Sequence, residues 1–171
     1  KTNRAGGAAY LGPGQIVFYP VFDLKKIGTN PYDFLRGVER AINNVVVSFG
    51  GNTFLGKVHN PTTDREYHSA WYRDKFGKPH KFLAQGYRID KDGVISEGGF
   101  SVNVSKESHK YFHLIDHCGF KLNEVGATSF EEIFGRGFNA DGIREAIVDE
   151  IAATFGYSAV KREMVVQNAA A

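Results

Sequence analysis

Apolar residues recur with a helical period between residues 31 and 49. They lie three and four positions apart, at Phe34, Leu35, Val38, Ala41, Ile42, Val45, Val46 and Phe49. Asn30 and Pro31 precede this segment as a favoured N-cap and a favoured first helical residue, and Gly50 and Gly51 follow it. The pattern predicts a helix that begins at Pro31 and ends at a left-handed glycine cap.

Two further helices are predicted towards the C-terminus. Thr128 and Glu131 have the spacing of a capping box, which predicts a short helix ending near Gly135. Asn139 then precedes a longer segment with one apolar face. This face is formed by Ile143, Ile147, Val148, Ile151 and Phe155.

Three segments have the composition of strands. Residues 15–23 (QIVFYPVFD) are rich in β-branched and aromatic side chains, and their nearly continuous apolarity predicts burial on both faces. Residues 81–90 and 94–104 flank an Asp-Gly pair, which predicts a hairpin of two antiparallel strands. Gly98 and Gly99 in the second of these strands indicate a bulge or a close approach of another backbone.

Residues 56–79 are polar and contain several turn-forming residues together with Trp71. They predict a long loop with room for one short strand, and such a loop could act as a lid or as a partner-binding insertion. Strand, helix, hairpin and helices follow one another without a strict βαβ repeat. The order of elements therefore predicts an α+β fold.

Composition limits the class of protein. The chain has 171 residues, of which 42% are hydrophobic, which predicts a single domain over residues 1–171. A formal net charge of +2 argues against nucleic acid as a partner. The single cysteine excludes an internal disulfide, and no apolar run is long enough to span a membrane. We therefore expect a soluble, intracellular protein.

Cys118 admits three interpretations. It follows a strand-like stretch, Tyr111 to Ile115, and precedes Gly119, a setting that can present a nucleophilic thiol. It could also be a buried, inert residue. The four-residue spacing of His109, His113 and His117 would fit a metal site if this region were helical. Residues 105–116 lack a helical stripe, which argues against the metal site.

The glycine-rich segment from Arg4 to Gln15 is the second candidate for function. Its small residues leave backbone amides uncovered, as a site needs where a ligand approaches the main chain. The same composition is also typical of a turn-rich leader before a strand. It is not a phosphate-binding loop, because the Gly-Lys-Ser/Thr ending is missing.

Five ordered blocks resemble the lipoate-pathway octanoyltransferases, which are related to lipoate and biotin protein ligases. The blocks are RAGGAAYLGPGQIVFYP, KFLAQGYRI, GGFSVNV, FHLIDHCGF and ATSF. The resemblance implies a biotin/lipoate protein ligase-like fold with a mixed, mainly antiparallel sheet flanked by helices. It also implies transfer of an octanoyl group from acyl carrier protein to a lysine of a lipoyl domain, without a metal or a cofactor.

The resemblance assigns site residues. Cys118 falls on the cysteine that carries the acyl group as a thioester, and Lys81 falls on the lysine that acts as acid and base. His117 lies next to Cys118 in the sequence and could stabilise its thiolate. The implied substrate-binding residues are Arg4, Tyr10, Gly12, Pro13, Gly14, Gln15, Ala84, Gly86, Asn103 and Gly119.

The chain also departs from the family pattern. Leu11 and Gly98 stand where the family has histidines, His117 replaces a proline, and the family's opening strand, helix and strand would precede residue 1. These departures favour an alternative, a catalytically inactive structural or binding subunit of a larger assembly such as a mitochondrial complex. A ligase that first adenylates its acid is a third interpretation, against which the Cys-Gly block argues. The family works in bacterial cytoplasm or in mitochondria, and we expect the mitochondrial matrix.

Overall fold

A computed structural model describes residues 10–114, 120–121 and 124–159. Within these ranges the strands and α-helices are, in chain order, β1 (Gln15–Phe18), α1 (Pro31–Ser48), β2 (Thr53–Asn60), β3 (Arg65–Arg73), β4 (Pro79–Lys81), β5 (Leu83–Ile89), β6 (Ile95–Asn103), β7 (Gly126–Ala127), α2 (Phe130–Phe134) and α3 (Ala140–Thr154). The described elements form an α+β fold, as the sequence predicts. None of the described helices combines the length and apolar character needed to cross a bilayer.

The strands form two sheets. The first sheet has the order β1-β6-β5 and is antiparallel throughout. The second has the order β2-β3-β4-β7, in which only the pairing of β4 with β7 is parallel. The chain passes from the second sheet to the first at Phe82, the single residue between β4 and β5.

Helix α1 forms the centre of the main core. The side chain of Asn30 accepts a hydrogen bond from the Asp33 N–H, which caps the helix as predicted. Gly50 has a φ of +87°, the left-handed conformation expected just beyond the last turn. The buried face of α1 packs against both sheets and α3. Its buried apolar residues are Phe34, Val38, Ala41, Ile42, Val45 and Val46.

The first strand is shorter and more exposed than its apolar sequence predicts. Strand β1 ends at Phe18, and Asp23 makes only an isolated bridge with Val94. Tyr19 and Val21 are exposed to solvent. The prediction of a strand to Asp23 with two buried faces is therefore wrong, because β1 lies at the edge of a sheet with one face on the core.

The predicted loop over residues 56–79 is also wrong. This segment contains most of β2, all of β3 and the start of β4. Strands β2 and β3 pair in an antiparallel register from Thr53 opposite Tyr72 to Asn60 opposite Arg65, and β4 pairs antiparallel with β3. Polar side chains are common in the segment because Lys57, His59 and Glu66, near the turn of the hairpin, lie in solvent. Trp71 is only 1% exposed and packs with Val58 and nearby apolar residues, and Ala70 on the opposite face is buried in the main core.

The hairpin of β5 and β6 is confirmed, with a turn closed by the hydrogen bond from the Gly93 N–H to the Asp90 carbonyl. Gly98 has a φ of +92°, and a Cβ atom there would lie 2.1 Å from the carbonyl oxygen of Gly86. The expected close approach of backbones is thus present. The register shift itself lies nearby, between Arg88 and Ile89 on the partner strand.

The described residues that follow β6, up to Leu114, do not form a strand. Lys106–His109 and Phe112–Leu114 are 3₁₀ turns, so the strand predicted from Tyr111 is wrong over its described residues, which end at Leu114. The two turns are short and separate, so they do not place His109 and His113 on one continuous helix. His109 instead contacts the Glu132 carboxylate at 2.7 Å.

The C-terminal helices follow the prediction with small differences. Ser129, and not Thr128, caps α2 by accepting from the Glu132 N–H, and Gly135 has the left-handed conformation predicted for its end. Asn139 caps α3 as expected. Ile143 and Ile147 are buried, whereas Val148 is exposed, because α3 packs through a narrower face than the apolar pattern indicates.

A buried carboxylate joins α1 to both sheets. Glu39 is 1% exposed and accepts hydrogen bonds from Arg36, from Nδ1 of His68 on β3 at 2.8 Å and from Nε2 of Gln85 on β5 at 2.7 Å. Three donors offset much of the cost of removing this charge from water. The network therefore fixes the two sheets relative to the helix.

Candidate active site

Lys81 lies where the two sheets meet. It is the last residue of β4 and pairs with Trp71 on β3 and with Ala127 on β7. Its carbonyl oxygen accepts a hydrogen bond from the Thr128 N–H at 3.0 Å. The sequence predicts Lys81 at the start of the strand that contains Ala84, but the two residues belong to different sheets because the chain changes sheet at Phe82.

Two side-chain amides from the first sheet lie close to this position. Nε2 of Gln15 donates to Oδ1 of Asn103 at 2.8 Å, and Nδ2 of Asn103 donates to the Thr128 carbonyl at 2.9 Å. The Gly12 N–H donates to Oε1 of Gln15 at 3.0 Å, and Nε2 of Gln15 also approaches the Tyr10 carbonyl at 3.3 Å. Both amides are thus held in fixed orientations by their neighbours.

These elements enclose a small cavity with a volume of about 20 Å³. It is lined by Tyr10, Gln15, Lys81, Phe82, Leu83, Ala84, Asn103 and Phe112. The lining combines an amine and two amides with aromatic and aliphatic groups, so one end can bind polar atoms of a ligand while the other contacts apolar ones. The cavity has room for about one water molecule.

The structure brings together five of the nine described residues that the sequence assigns to the site. Tyr10, Gln15, Lys81, Ala84 and Asn103 line the cavity. The other four, Gly12, Pro13, Gly14 and Gly86, lie outside its lining. Arg4, Cys118 and Gly119 lie outside the described residues.

The glycines near the cavity have structural contacts of their own. The Gly14 carbonyl accepts from the N–H groups of Val104 and Ser105, which ties the turn before β1 to the end of β6. Gly86 pairs with Gly99 in the first sheet, on the far side of Ala84 from Lys81. These residues shape the backbone around the cavity without forming its wall.

Sequence reasoning missed Phe112 and Thr128 as parts of this site. Phe112 lies in a 3₁₀ turn where a strand was predicted, so its ring could not be placed. Thr128 was interpreted as a helix cap, although it belongs to the ATSF block that carries part of the family resemblance. Its main chain contacts both Lys81 and Asn103. That block was the available signal.

The charged groups around Lys81 include one strongly oriented pair. Nε2 of His80 lies 3.0 Å from Oδ2 of Asp74, and this hydrogen bond holds the pKa of the Asp74 carboxyl below its usual value. Among the described residues, no three histidines, cysteines or carboxylates gather as a metal ion would require.

Comparison with known proteins identifies the family. The family model described as "Lipoyl protein ligase A/B catalytic domain" matches residues 1–152. The chain belongs to this family. The matched range includes every residue that lines the cavity.

Curated octanoyltransferases and a related protein match most of this chain. An octanoyltransferase from Desulforamulus reducens is 27% identical over 159 residues, which are 92% of this chain and 61% of the relative. An octanoyltransferase from Thermoanaerobacter sp. is 30% identical over 158 residues, 91% of this chain and 60% of the relative. A relative from Schizosaccharomyces pombe is 33% identical over 132 residues, 77% of this chain and 52% of its own length.

The chain spans about 60% of the length of the bacterial relatives that it matches. Its fold is similar to that of biotin protein ligase from Aquifex aeolicus, with a TM-score of 0.54 and 13% identity. That likeness covers 84% of this chain and 53% of the ligase. It confirms the ligase-like fold expected of a lipoyl protein ligase A/B family member.

Proposed function

We propose that this protein transfers an octanoyl group from acyl carrier protein to a lysine of a lipoyl domain. The observation that carries the proposal is the Lys81 cavity, which is lined by a lysine from one sheet and by two fixed amides from the other. The octanoyltransferase relatives supply the reaction class. The substrates named here and the roles of Cys118 and Lys81 belong to the proposal.

The first half of the reaction moves the acyl group between sulfur atoms. The Cys118 thiolate attacks the thioester carbonyl, a carbon–sulfur bond to Cys118 forms, and the carbon–sulfur bond to the carrier breaks. The sulfur of the carrier leaves as a thiolate and takes up a proton from Lys81. One thioester replaces another, so this step is nearly neutral in energy.

The second half forms an amide. The amine of the lipoyl-domain lysine attacks the Cys118 thioester, a carbon–nitrogen bond forms, and the Cys118 thiolate is released. Lys81 accepts the proton that the attacking nitrogen loses, which restores the starting protonation state. The amide is more stable than the thioester, and this difference drives the overall transfer.

The volume of the described cavity is far below the roughly 300–1,000 Å³ of typical ligand pockets. An eight-carbon chain therefore enters only if the rings at its edge move. Tyr10 and Phe112 are the two rings contributed by segments outside the sheets, so we assign the opening to them. Phe82, Leu83 and Ala84 then provide the apolar wall for the acyl chain.

Intact-protein mass spectrometry tests the proposal directly. Wild type incubated with octanoyl-acyl carrier protein should gain one octanoyl group, which hydroxylamine removes, and Cys118→Ala should gain none. Lys81→Met should transfer octanoate to a lipoyl domain on the order of 10²-fold or more slowly than wild type. Lys57→Met is the matched control, because Lys57 is an exposed lysine on β2 that pairs with Glu66.

Equal transfer rates for Lys81→Met and Lys57→Met would refute the assigned role of Lys81. A full-length, folded wild-type protein that forms no adduct would refute the enzyme itself. That result would favour the alternative, a binding subunit that keeps the fold without the chemistry. Gly98 favours the same alternative, since the backbone at a family histidine position has no room for a side chain.

Location is part of the same proposal. The Schizosaccharomyces pombe relative shows that eukaryotes have proteins of this kind, which is compatible with a mitochondrial matrix enzyme. Fractionation of cells that express the tagged full-length protein tests this assignment. Recovery outside the matrix fraction would contradict it.

A further inference from the structure

His80 is held at both nitrogens of its ring. Nδ1 lies 3.2 Å from the carbonyl oxygen of Ala127 on β7, and Nε2 lies 3.0 Å from Oδ2 of Asp74 in the turn after β3. Its side chain is only 20% exposed. The His80 ring therefore connects the β7 backbone to the Asp74 turn.

The Asp74 end of this connection is a well-defined turn. Oδ1 of Asp74 accepts from the N–H groups of Phe76 and Lys78, both at 2.9 Å, while Oδ2 faces His80. Each carboxylate oxygen thus has a separate structural task. His80 is anchored to a turn whose conformation the same aspartate fixes.

The β7 end is a short strand. The two residues of β7, Gly126 and Ala127, pair with His80 and Lys81 of β4. A Cβ atom at Gly126 would lie 2.4 Å from Nδ1 of His80, so the imidazole rests directly on the β7 backbone. Since so short a strand has little pairing of its own, the ring contact is a substantial part of what attaches it to the sheet.

The residue after β7 connects this attachment to the cavity. The Thr128 N–H donates to the Lys81 carbonyl at 3.0 Å, and the Thr128 carbonyl accepts from Nδ2 of Asn103 at 2.9 Å. A shift of β7 would therefore move the hydrogen bonds that locate Lys81 relative to Asn103. The path runs from the His80 ring through Ala127 to Thr128.

We propose that His80 is a positioning residue for Lys81, which it places in the cavity by linking β7 to the Asp74 turn, a link called the clamp below. This inference rests on the proposed acid/base role of Lys81. His80 contacts no substrate in it and acts only through the backbone of β7.

The charged and titratable groups that face His80 are few among the described residues. Strand β3 presents the Tyr72 ring, whose centroid lies 6.2 Å from that of His80, and the turn presents Asp74. Strand β7 presents only Gly126 and Ala127, which do not titrate. Strand β3 and the turn after it thus supply the described titratable groups that face the ring.

Four substitutions separate the two ends of the clamp. His80→Ala removes both contacts, whereas His80→Asn retains an N–H at the position of Nδ1 and so keeps the Ala127 contact. Asp74→Asn keeps an oxygen for the turn but replaces the carboxylate that accepts from Nε2. His59→Ala is the matched control, because His59 faces Asp64 at 3.8 Å on the exposed β2–β3 turn.

The first measurement is hydrogen exchange at the Thr128 amide, which needs no substrate. We expect exchange in His80→Ala to be at least about tenfold faster than in His59→Ala, with His80→Asn between them. Unchanged Thr128 exchange in His80→Ala would overturn the clamp.

The second measurement is octanoyl transfer. We expect kcat in His80→Ala to fall about tenfold or more with little change in KM, because positioning errors act on the chemical step. His80→Asn should recover part of the loss, and Asp74→Asn should alter the pH profile of kcat. A fall in kcat without faster Thr128 exchange would overturn positioning as its cause. Absence of transfer in wild type would refute the proposed function, while the exchange data would still decide whether the clamp exists.

Discussion

Gly98 offers a quantitative test of how closely β5 and β6 approach each other. Its φ is +92°, and a Cβ atom would meet the Gly86 carbonyl oxygen at 2.1 Å, a distance that real Cβ contacts essentially never reach. Gly50 has a similar φ of +87° but no atom within 4 Å of its Cβ position. Gly50→Ala therefore measures backbone strain alone, and Gly98→Ala measures strain together with the clash.

The expected magnitudes follow from these contacts. A left-handed alanine costs about 1–2 kcal/mol, which is the loss in unfolding free energy expected for Gly50→Ala. At Gly98 the clash is with backbone, so β5 and β6 must separate locally and leave buried ladder groups unpaired at about 1–3 kcal/mol each. We expect Gly98→Ala to lose about 3–5 kcal/mol in total.

Urea unfolding followed by tryptophan fluorescence measures both variants. Trp71 is the only tryptophan and is 1% exposed, so its emission reports loss of the second sheet. Equal losses for Gly98→Ala and Gly50→Ala would refute the close approach. If the clash is real, restoring the family histidine at position 98 cannot restore a site by itself, because the backbone must change first.

Three further predictions concern buried and titrating groups. Tyr87→Phe should raise the unfolding free energy by about 1 kcal/mol, since the buried Tyr87 hydroxyl has no hydrogen-bond partner among the described residues. The same burial raises the pKa of that hydroxyl. A lower unfolding free energy in urea would contradict the prediction. Glu39→Gln should lower the unfolding free energy by about 3 kcal/mol, because three donors face it, whereas the exposed Glu66→Gln should change little. The pKa of Asp74 is lowered in the folded protein, so its carboxylate stabilises the fold at pH values above the ordinary pKa of 3.8. This stabilisation is lost as the pH falls through the lowered pKa, so the Tm values of wild type and of Asp74→Asn should converge in acid.

Local signals in the sequence were sufficient to predict the helices and the hairpin that begin or turn at those signals. The Asn30 cap, the Asp-Gly turn and the Asn139 cap each act within a few residues, and the corresponding helices and hairpin are present. The β2–β3 hairpin was missed because its solvent-facing side chains are polar. Its buried face depends on Trp71 packing with residues from distant parts of the chain, including Phe120.

The sequence predicts several residues that line the cavity, but it does not predict how they are arranged. The family blocks single out Gln15, Lys81 and Asn103 by their order, although the hydrogen bond from Gln15 to Asn103 joins residues 88 positions apart. No periodicity indicates that pairing. His80 carries no family signal at all, and only the contacts at its two ring nitrogens show what it connects.

The relative position of the amine and the amides is set by neither sheet alone. Lys81 belongs to the second sheet, whereas Gln15 and Asn103 belong to the first. The two groups are joined by Thr128, which bonds to Lys81 through its N–H and to Asn103 through its carbonyl. Because both bonds use main-chain atoms, the register of β7 matters more for this geometry than the side chain at position 128. The shortest of the described strands, β7, thus determines how Lys81 is placed relative to the amides, and the residues that hold β7 in register contribute to the geometry of the candidate site.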